Sequence, residues 1–306
     1  MPASVRQRLQ NLARARQEDF QLVLSRYALE RLLQRISQSS HRDRFVIKGA
    51  ILFQIWCDHI YRPTRDIDFL AQGAYSIAYF EGVFREVCRQ NVEDDGLSFA
   101  SESIAGYVIK PDHEYQGIRI LLEAKLERAR IPVQIDVGFG DAMTPGPQEI
   151  QYPSLLGFPT PIVSVYPRET VVAEKFQAML VLGMANSRMK DFFDLWLLAN
   201  YFEFDGLLLA RAIRATLDRR RTPIPETIPT AFTPAFHKDD AKQKQWKAFL
   251  AKSRLVAPAM LSDVMIGVQV FLLPLVDAIK TGRDFRLQWV LPGCWESSEP
   301  KVIGPR

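Results

Sequence analysis

The hydrophobic period of this chain changes part-way along it. Between Leu97 and Val137, apolar residues fall at alternate positions in three runs, 97–109, 117–126 and 131–137, with turn residues between them. Alternation is the period of half-buried strands. From Arg168 onward, apolar residues recur three and four apart over 168–183, 187–202, 206–218, 240–253 and 259–280. That is the period of helices with one buried stripe. The two patterns bury different sets of side chains, so neither half can extend the other's layer. An α+β chain follows, with a mixed N-terminal part and a mainly helical C-terminal part. Residues 138–147 hold three glycines and two prolines and read as a loop; residues 152–167 hold four prolines and read as an extended connector. We place the boundary between Phe158 and Pro167, giving domains 1–160 and 161–306.

The remaining elements follow from the same reading. Leu9, Leu12, Phe20, Leu24, Tyr27, Leu32, Leu33 and Ile36 predict helix over 4–38, with a break near Arg16–Glu18. A short strand at 44–48 runs into Gly49, and 50–57 reads as helix. Thr64–Leu70 reads as a strand and 76–90 as a helix. Residues 221–236 carry four prolines and form a loop. The apolar run from Val264 to Val276 is shorter than the ~20 residues of a membrane span and reads as a buried core helix. The N-terminal residues lack the apolar region of a signal peptide. Cys57, Cys88 and Cys294 are odd in number and have no metal-ligand spacing, so a reducing cytoplasm is expected. Hydrophobic residues at 47% and charged residues at 24% exclude a disordered or collagenous chain. The net charge of +4 permits nucleic-acid binding without requiring it.

The chemistry concentrates in Arg65-Asp66-Ile67-Asp68-Phe69. In a strand, Asp66 and Asp68 share a face about 7 Å apart, and Ile67 and Phe69 enter the core on the other. Adjacent carboxylates repel, and a divalent cation removes the repulsion. Mg²⁺ takes one or two protein carboxylates and completes its shell with phosphate oxygens and water. Asp136 is one acid in the apolar run Val133-Gln134-Ile135-Asp136-Val137, where an isolated carboxylate is costly. Three carboxylates on adjacent strands can hold two Mg²⁺ ions for phosphoryl transfer. Upstream, Phe45-Val46-Ile47-Lys48-Gly49-Ala50-Ile51-Leu52 predicts a strand–turn–helix corner whose backbone N–H groups suit phosphate. Taken singly, each motif also fits an ordinary role: a surface aspartate pair, a strand-end acid, a simple corner.

Together, in this order, they resemble the DNA polymerase β-like nucleotidyltransferase superfamily, and more closely the AbiEii/AbiGii toxin family with its MenT-like members. The strand–Gly–helix motif stands at 45–52 and the DxD motif at Arg62-Pro63-Thr64-Arg65-Asp66-Ile67-Asp68-Phe69. Two further family motifs appear as Ala173-Glu174-Lys175 and Arg188-Met189-Lys190-Asp191-Phe192-Phe193-Asp194-Leu195. The match spans residues 45–195. The superfamily usually has a second Gly or a Ser where this chain has Ala50, which offers a backbone N–H but no hydroxyl.

The resemblance implies a polymerase β-like core with a mixed sheet, followed by a helical domain. It implies transfer of NMP from an NTP to an acceptor hydroxyl, with pyrophosphate released. Asp66, Asp68 and Asp136 would bind Mg²⁺, Asp136 taking a second metal or acting as base. Lys48, Gly49 and Ala50 would hold phosphate, and Lys175 would bring charge to the triphosphate. Asp191 would be the essential aspartate of its motif, with Asp194 as a cap or support. Lys175 otherwise reads as a surface lysine paired with Glu174 or Glu169, and Asp191 as a first-turn acid favoured by the helix dipole.

Residues 211–254 hold eleven basic side chains against four acidic ones, a local excess larger than that of the whole chain. With Trp246 and Phe249 among them, this stretch suits a phosphate backbone. MenT-like relatives extend the tRNA acceptor end and block translation. The resemblance therefore implies the toxin of a bacterial toxin–antitoxin pair acting on RNA, with a winged-helix AbiEi-like antitoxin that need not form a stable complex. A protein or small-molecule acceptor, such as an aminoglycoside, is an alternative. A non-catalytic nucleotide-binding module is another, and a metal-dependent nuclease a more distant one. His41, His59, His113 and His237 show no ligand spacing.

Overall fold

The N-terminal helical stretch breaks where its sequence does. Helix α1 (Pro2–Arg16) ends at Gln17, whose φ of 54° is left-handed, and the Asp19 carboxylate then accepts from the Leu22 N–H to cap α2 (Phe20–Ser37). The structure, a computed structural model, describes residues 1–57, 64–72, 76–109, 117–253 and 255–297. Arg62, Pro63, His59, His113 and Arg254 lie outside these. The chain divides into two compact units, 1–141 with 147–166, and 142–146 with 167–306.

The first unit carries β1 (Phe45–Lys48), α3 (Leu52–Trp56), β2 (Asp66–Ala71), α4 (Ile77–Cys88), β3 (Leu97–Ile109), β4 (Gly117–Leu126), β5 (Ala129–Phe139), β6 (Gln148–Gln151) and β7 (Ile162–Val165). Seven strands form one mixed sheet in the order β3-β4-β5-β2-β1-β7-β6. β2 runs parallel to β5, and β1 to β7. Strand β7 falls in the segment that reads as a connector, and β6 in the four residues between that segment and the loop before it. Pro-flanked runs of four residues are too short for their alternation to stand out. Phe45, Ile47, Ile67, Phe69, Ile135 and Val137 fill the core face, where Phe45 packs against Phe69, Phe80 and Phe84. Alternation then sends Lys48, Asp66, Asp68 and Asp136 to the opposite face.

Helix α2 is buried along nearly its whole length, charged residues included. Arg31 and Arg35 reach Asp95 at 2.8 and 2.7 Å. Arg31 also donates to the Pro159 carbonyl, and Glu30 accepts from the Leu155 N–H. A buried charge is tolerable only when paired, and here the pairs tie the proline-rich connector to the helix.

The second unit contains α5 (Arg168–Leu182), α6 (Met189–Tyr201), β8 (Phe204–Asp205), α7 (Gly206–Arg219), α8 (Pro234–His237), α9 (Asp240–Ser253), α10 (Leu261–Thr281), β9 (Leu287–Val290) and β10 (Cys294–Ser297). The three strands form a small sheet that the sequence did not announce. It is held by aromatic packing of Trp289 and Trp295 on Phe271. The Trp289 indole donates to the Ala199 carbonyl. Helix α10 exceeds its apolar run and is long and apolar enough to cross a membrane by length and composition. Its stripe of Leu261, Val264, Met265, Val268, Phe271, Leu272 and Leu275 is nevertheless fully buried, and the helix packs on α6 and α7.

Candidate active site

On the face of the first unit's sheet opposite the core, four charged residues stand in cross-strand register. Lys48 on β1 is opposite Asp68 on β2, Asp68 is beside Asp136 on β5, and Asp136 is opposite Arg119 on β4. Cross-strand neighbours sit about 5 Å apart at Cβ. Two like charges therefore occupy the middle of the row and a cation each end. Asp66 is two residues along β2 from Asp68, on the same face.

Each member is positioned by its neighbours. Thr64 donates its hydroxyl to Asp66 Oδ1. Gly49 has a φ of +78°, and a Cβ built there would lie 2.0 Å from Asp68 Oδ2. The glycine is thus required twice, by a left-handed backbone and by the carboxylate lying against its Cα. It is the Asp68 carboxylate that lies against the Gly49 backbone. The corner itself is a 3₁₀ turn over Gly49–Ile51 leading into the short α3. Ala50 is buried there. Lys48 Nζ lies 2.6 Å from Asp141 Oδ2, above Gly138 and the ring of Tyr166.

Arg119 and Asp141 were not singled out in sequence. Arg119 grips Asp136 with both oxygens engaged, Nε to Oδ1 at 2.8 Å and Nη2 to Oδ2 at 2.7 Å. The hydrogen bond to Asp136 raises the Arg119 pKa, with the charges of Asp136, Asp66 and Asp68 adding to it. All three carboxylates therefore act on one guanidinium. The signal was there: Arg119 is a lone base between the buried Ile118 and Ile120 of an alternating strand. Asp141 lies in a Gly/Pro loop with no period to mark it.

Among the described residues, no three acidic, imidazole or thiol side chains converge into a metal cage. The chemistry of the row still fits a hard divalent ion, since Asp66 and Asp68 offer carboxylate oxygens from one face and Mg²⁺ needs only one or two such ligands when substrate supplies the rest.

The second unit contains another charged group. Lys175 Nζ on α5 lies 2.8 Å from Asp191 Oδ1 and 2.8 Å from Asp194 Oδ2, both on α6. The Asp194 side chain is 1% exposed and the Asp191 side chain 12%. Burial alone raises the Asp191 carboxyl; Lys175, with Lys190 and Arg188, outweighs it and leaves the pKa below its ordinary value. Asp194 does not cap α6, whose N-cap is Arg188; its i+3 spacing from Asp191 brings both to one ammonium. Glu174, the surface partner the sequence offered, pairs with Arg220 at 3.3 Å.

The basic stretch is also partly reassigned. Trp246 is fully buried, and its indole donates to the Pro258 carbonyl. Phe249 packs between Trp246 and Phe193. Lys242 is buried and donates to the Asn186 carbonyl. Lys242 and Trp246 are buried because α9 turns that side inward, and Phe249 is half-buried beside them. Arg211, Arg219, Arg221, Lys238, Lys244, Lys247 and Lys252 remain exposed.

The family described as nucleotidyl transferase AbiEii toxin of type IV toxin–antitoxin systems matches residues 31–279. The chain belongs to the AbiEii family. Membership makes it a nucleotidyltransferase of a type IV toxin–antitoxin system, with an NTP substrate and an antitoxin partner. The AbiEii match takes in both charged groups, the sheet row and the Lys175 cluster. Two crystal structures, a candidate nucleotidyltransferase from H. pylori and JHP933 from Helicobacter pylori, are each 12% identical to the chain. The first has a TM-score of 0.47 and covers 87% of this chain and 99% of its own; the second has 0.46, 86% and 94%. No curated protein matches the sequence.

Proposed function

We propose that the chain transfers NMP from an NTP to an RNA hydroxyl, at the 3′ end of tRNA, and so blocks translation. The observation that carries this reading is the direct register of Asp68 with Asp136, with Asp66 on the same face and Gly49 against Asp68. Such a row concentrates negative charge where a dry protein would avoid it.

In this reading Asp66 and Asp68 hold Mg²⁺, and Asp136 joins them as a further ligand or as base. When bound, Mg²⁺ neutralises charge on the triphosphate and polarises the phosphoryl group under attack. Thr64 keeps Asp66 oriented, and Gly49 leaves room for Asp68 to keep its rotamer. Lys48, Gly49 and Ala50 bind phosphate. Lys175 supplies positive charge to the triphosphate, and Asp191 with Asp194 hold its ammonium in place. The acceptor hydroxyl passes its proton to Asp136 or to solvent water, its oxygen bonds to the α-phosphorus, and the bond from the α-phosphorus to pyrophosphate breaks. Positioning and charge complementarity provide most of the rate enhancement. The exposed lysines and arginines of 211–252 support an RNA acceptor, since counterion release at a basic surface drives such binding.

The test is incubation of purified protein with Mg²⁺, total tRNA and each α-labelled NTP, beside Asp66→Ala. Label on tRNA from the wild-type chain alone is the expected result and names the nucleotide. Label on protein, or none on any RNA, refutes the RNA reading.

A further inference from the structure

The proposed mechanism leaves Arg119 without a task, yet Arg119 engages both oxygens of one carboxylate of the acidic row. Its two nitrogens occupy both oxygens of Asp136 at 2.8 and 2.7 Å. Gln134 adds an amide N–H to Oδ2 at 3.4 Å. A forked guanidinium on a carboxylate is among the stronger neutral-pH pairings, and arginine does not discharge. Any cation approaching Asp136 meets a cation already there.

The two partners differ in freedom. The Asp136 side chain is 15% exposed and that of Arg119 37%. Buried Ile118 and Ile120 pin the Arg119 backbone, but the guanidinium has an open side through which it can leave the carboxylate. Asp136 has no such route.

We propose that Arg119 competes with divalent metal for Asp136, closing the acidic row in the metal-free protein and opening it when metal reaches the third carboxylate. The inference rests on the reading of Asp66, Asp68 and Asp136 as metal ligands. It makes Arg119 a positioning residue that sets metal affinity. A purely structural cross-strand pair would have the opposite consequence, because its removal would loosen Asp136 and weaken metal binding.

The experiment is a titration of the purified full chain with Mn²⁺ and no nucleotide, following free Mn²⁺ by electron paramagnetic resonance. Wild type, Arg119→Met, Arg119→Lys, Asp68→Asn and the double variant Arg119→Met/Asp136→Asn are compared. Arg119→Met is expected to bind Mn²⁺ about five- to tenfold tighter than wild type, the scale of a partly exposed charge-assisted pair. Arg119→Lys, a point charge without the fork, falls between, and the double variant loses the gain. Equal or weaker binding by folded Arg119→Met overturns the proposal. If that variant does not fold, Arg119→Lys decides: binding about two- to threefold tighter supports competition, and no change overturns it. Mn²⁺ binding abolished by Asp68→Asn but untouched at Arg119 overturns this inference alone. Absence of Mn²⁺ binding in every variant overturns the metal reading of the row as well.

Discussion

Replacing Lys175 by Met removes an ammonium that lies 2.8 Å from both Asp191 and Asp194. The side chain keeps its approximate volume, so the lost term is electrostatic. Two carboxylates, 12% and 1% exposed, are then left facing each other on one turn of α6. Breaking a buried ion pair by removing one partner costs about 3–5 kcal/mol. For a unit of this size that is a fall in Tm of roughly 10 °C. The pH dependence gives a sharper test. In the wild type the Asp191 pKa is depressed. Its stabilisation is therefore present above the unfolded carboxyl value of about 3.9 and lost as pH falls through the lower folded value. Without Lys175, burial is opposed only by Lys190 and Arg188, and the sign is expected to reverse: the variant gains stability as pH falls from 7 toward 4. Thermal unfolding by circular dichroism at pH 7 and pH 5 measures both effects. A Tm within about 2 °C of wild type at pH 7, with the same pH slope, would refute the clamp.

Three further outcomes follow from the same structure. Gly49→Ala forces a left-handed φ on alanine, costing about 1–2 kcal/mol, and drives a Cβ to 2.0 Å from Asp68 Oδ2; NMP transfer should fall by about a hundredfold or more while far-ultraviolet circular dichroism is unchanged, and retention of full activity would contradict the placement of Asp68. Lys244→Glu with Lys247→Glu should change stability by no more than about 0.5 kcal/mol, yet reduce the salt slope of tRNA binding by about 2; an unaltered slope in filter binding would remove α9 from the RNA surface. Asp95→Asn strands Arg31 and Arg35, now 2.8 and 2.7 Å from it, and should cost about 3–5 kcal/mol in urea unfolding, whereas a loss below about 1 kcal/mol would mean those arginines find other partners.

The long elements were legible from period alone. Strands β3, β4 and β5 and helices α5, α6, α7, α9 and α10 lie within a few residues of where their patterns predicted them, because each repeats its burial signal several times. β6, β7 and the β8–β10 sheet were not, since two to four residues carry no period and pairing partners are distant in sequence. Trp246 shows the same limit: a tryptophan among lysines reads as a stacking platform until the neighbours of α9 bury it.

The candidate site divides in a similar way. Sequence determined that Asp66 and Asp68 share a face, that Asp136 is an acid in an apolar strand, and that Lys175 and Asp191 belong to helices, because side-chain direction is local to each element. Only the tertiary structure decided that Asp68 and Asp136 are register partners, that Gly49 makes room for Asp68, that Lys175 is held by two aspartates, and that Arg119 occupies Asp136. Strand register and helix pairing arise from packing across the whole unit, and the charge of a neighbouring element leaves no trace in the local pattern.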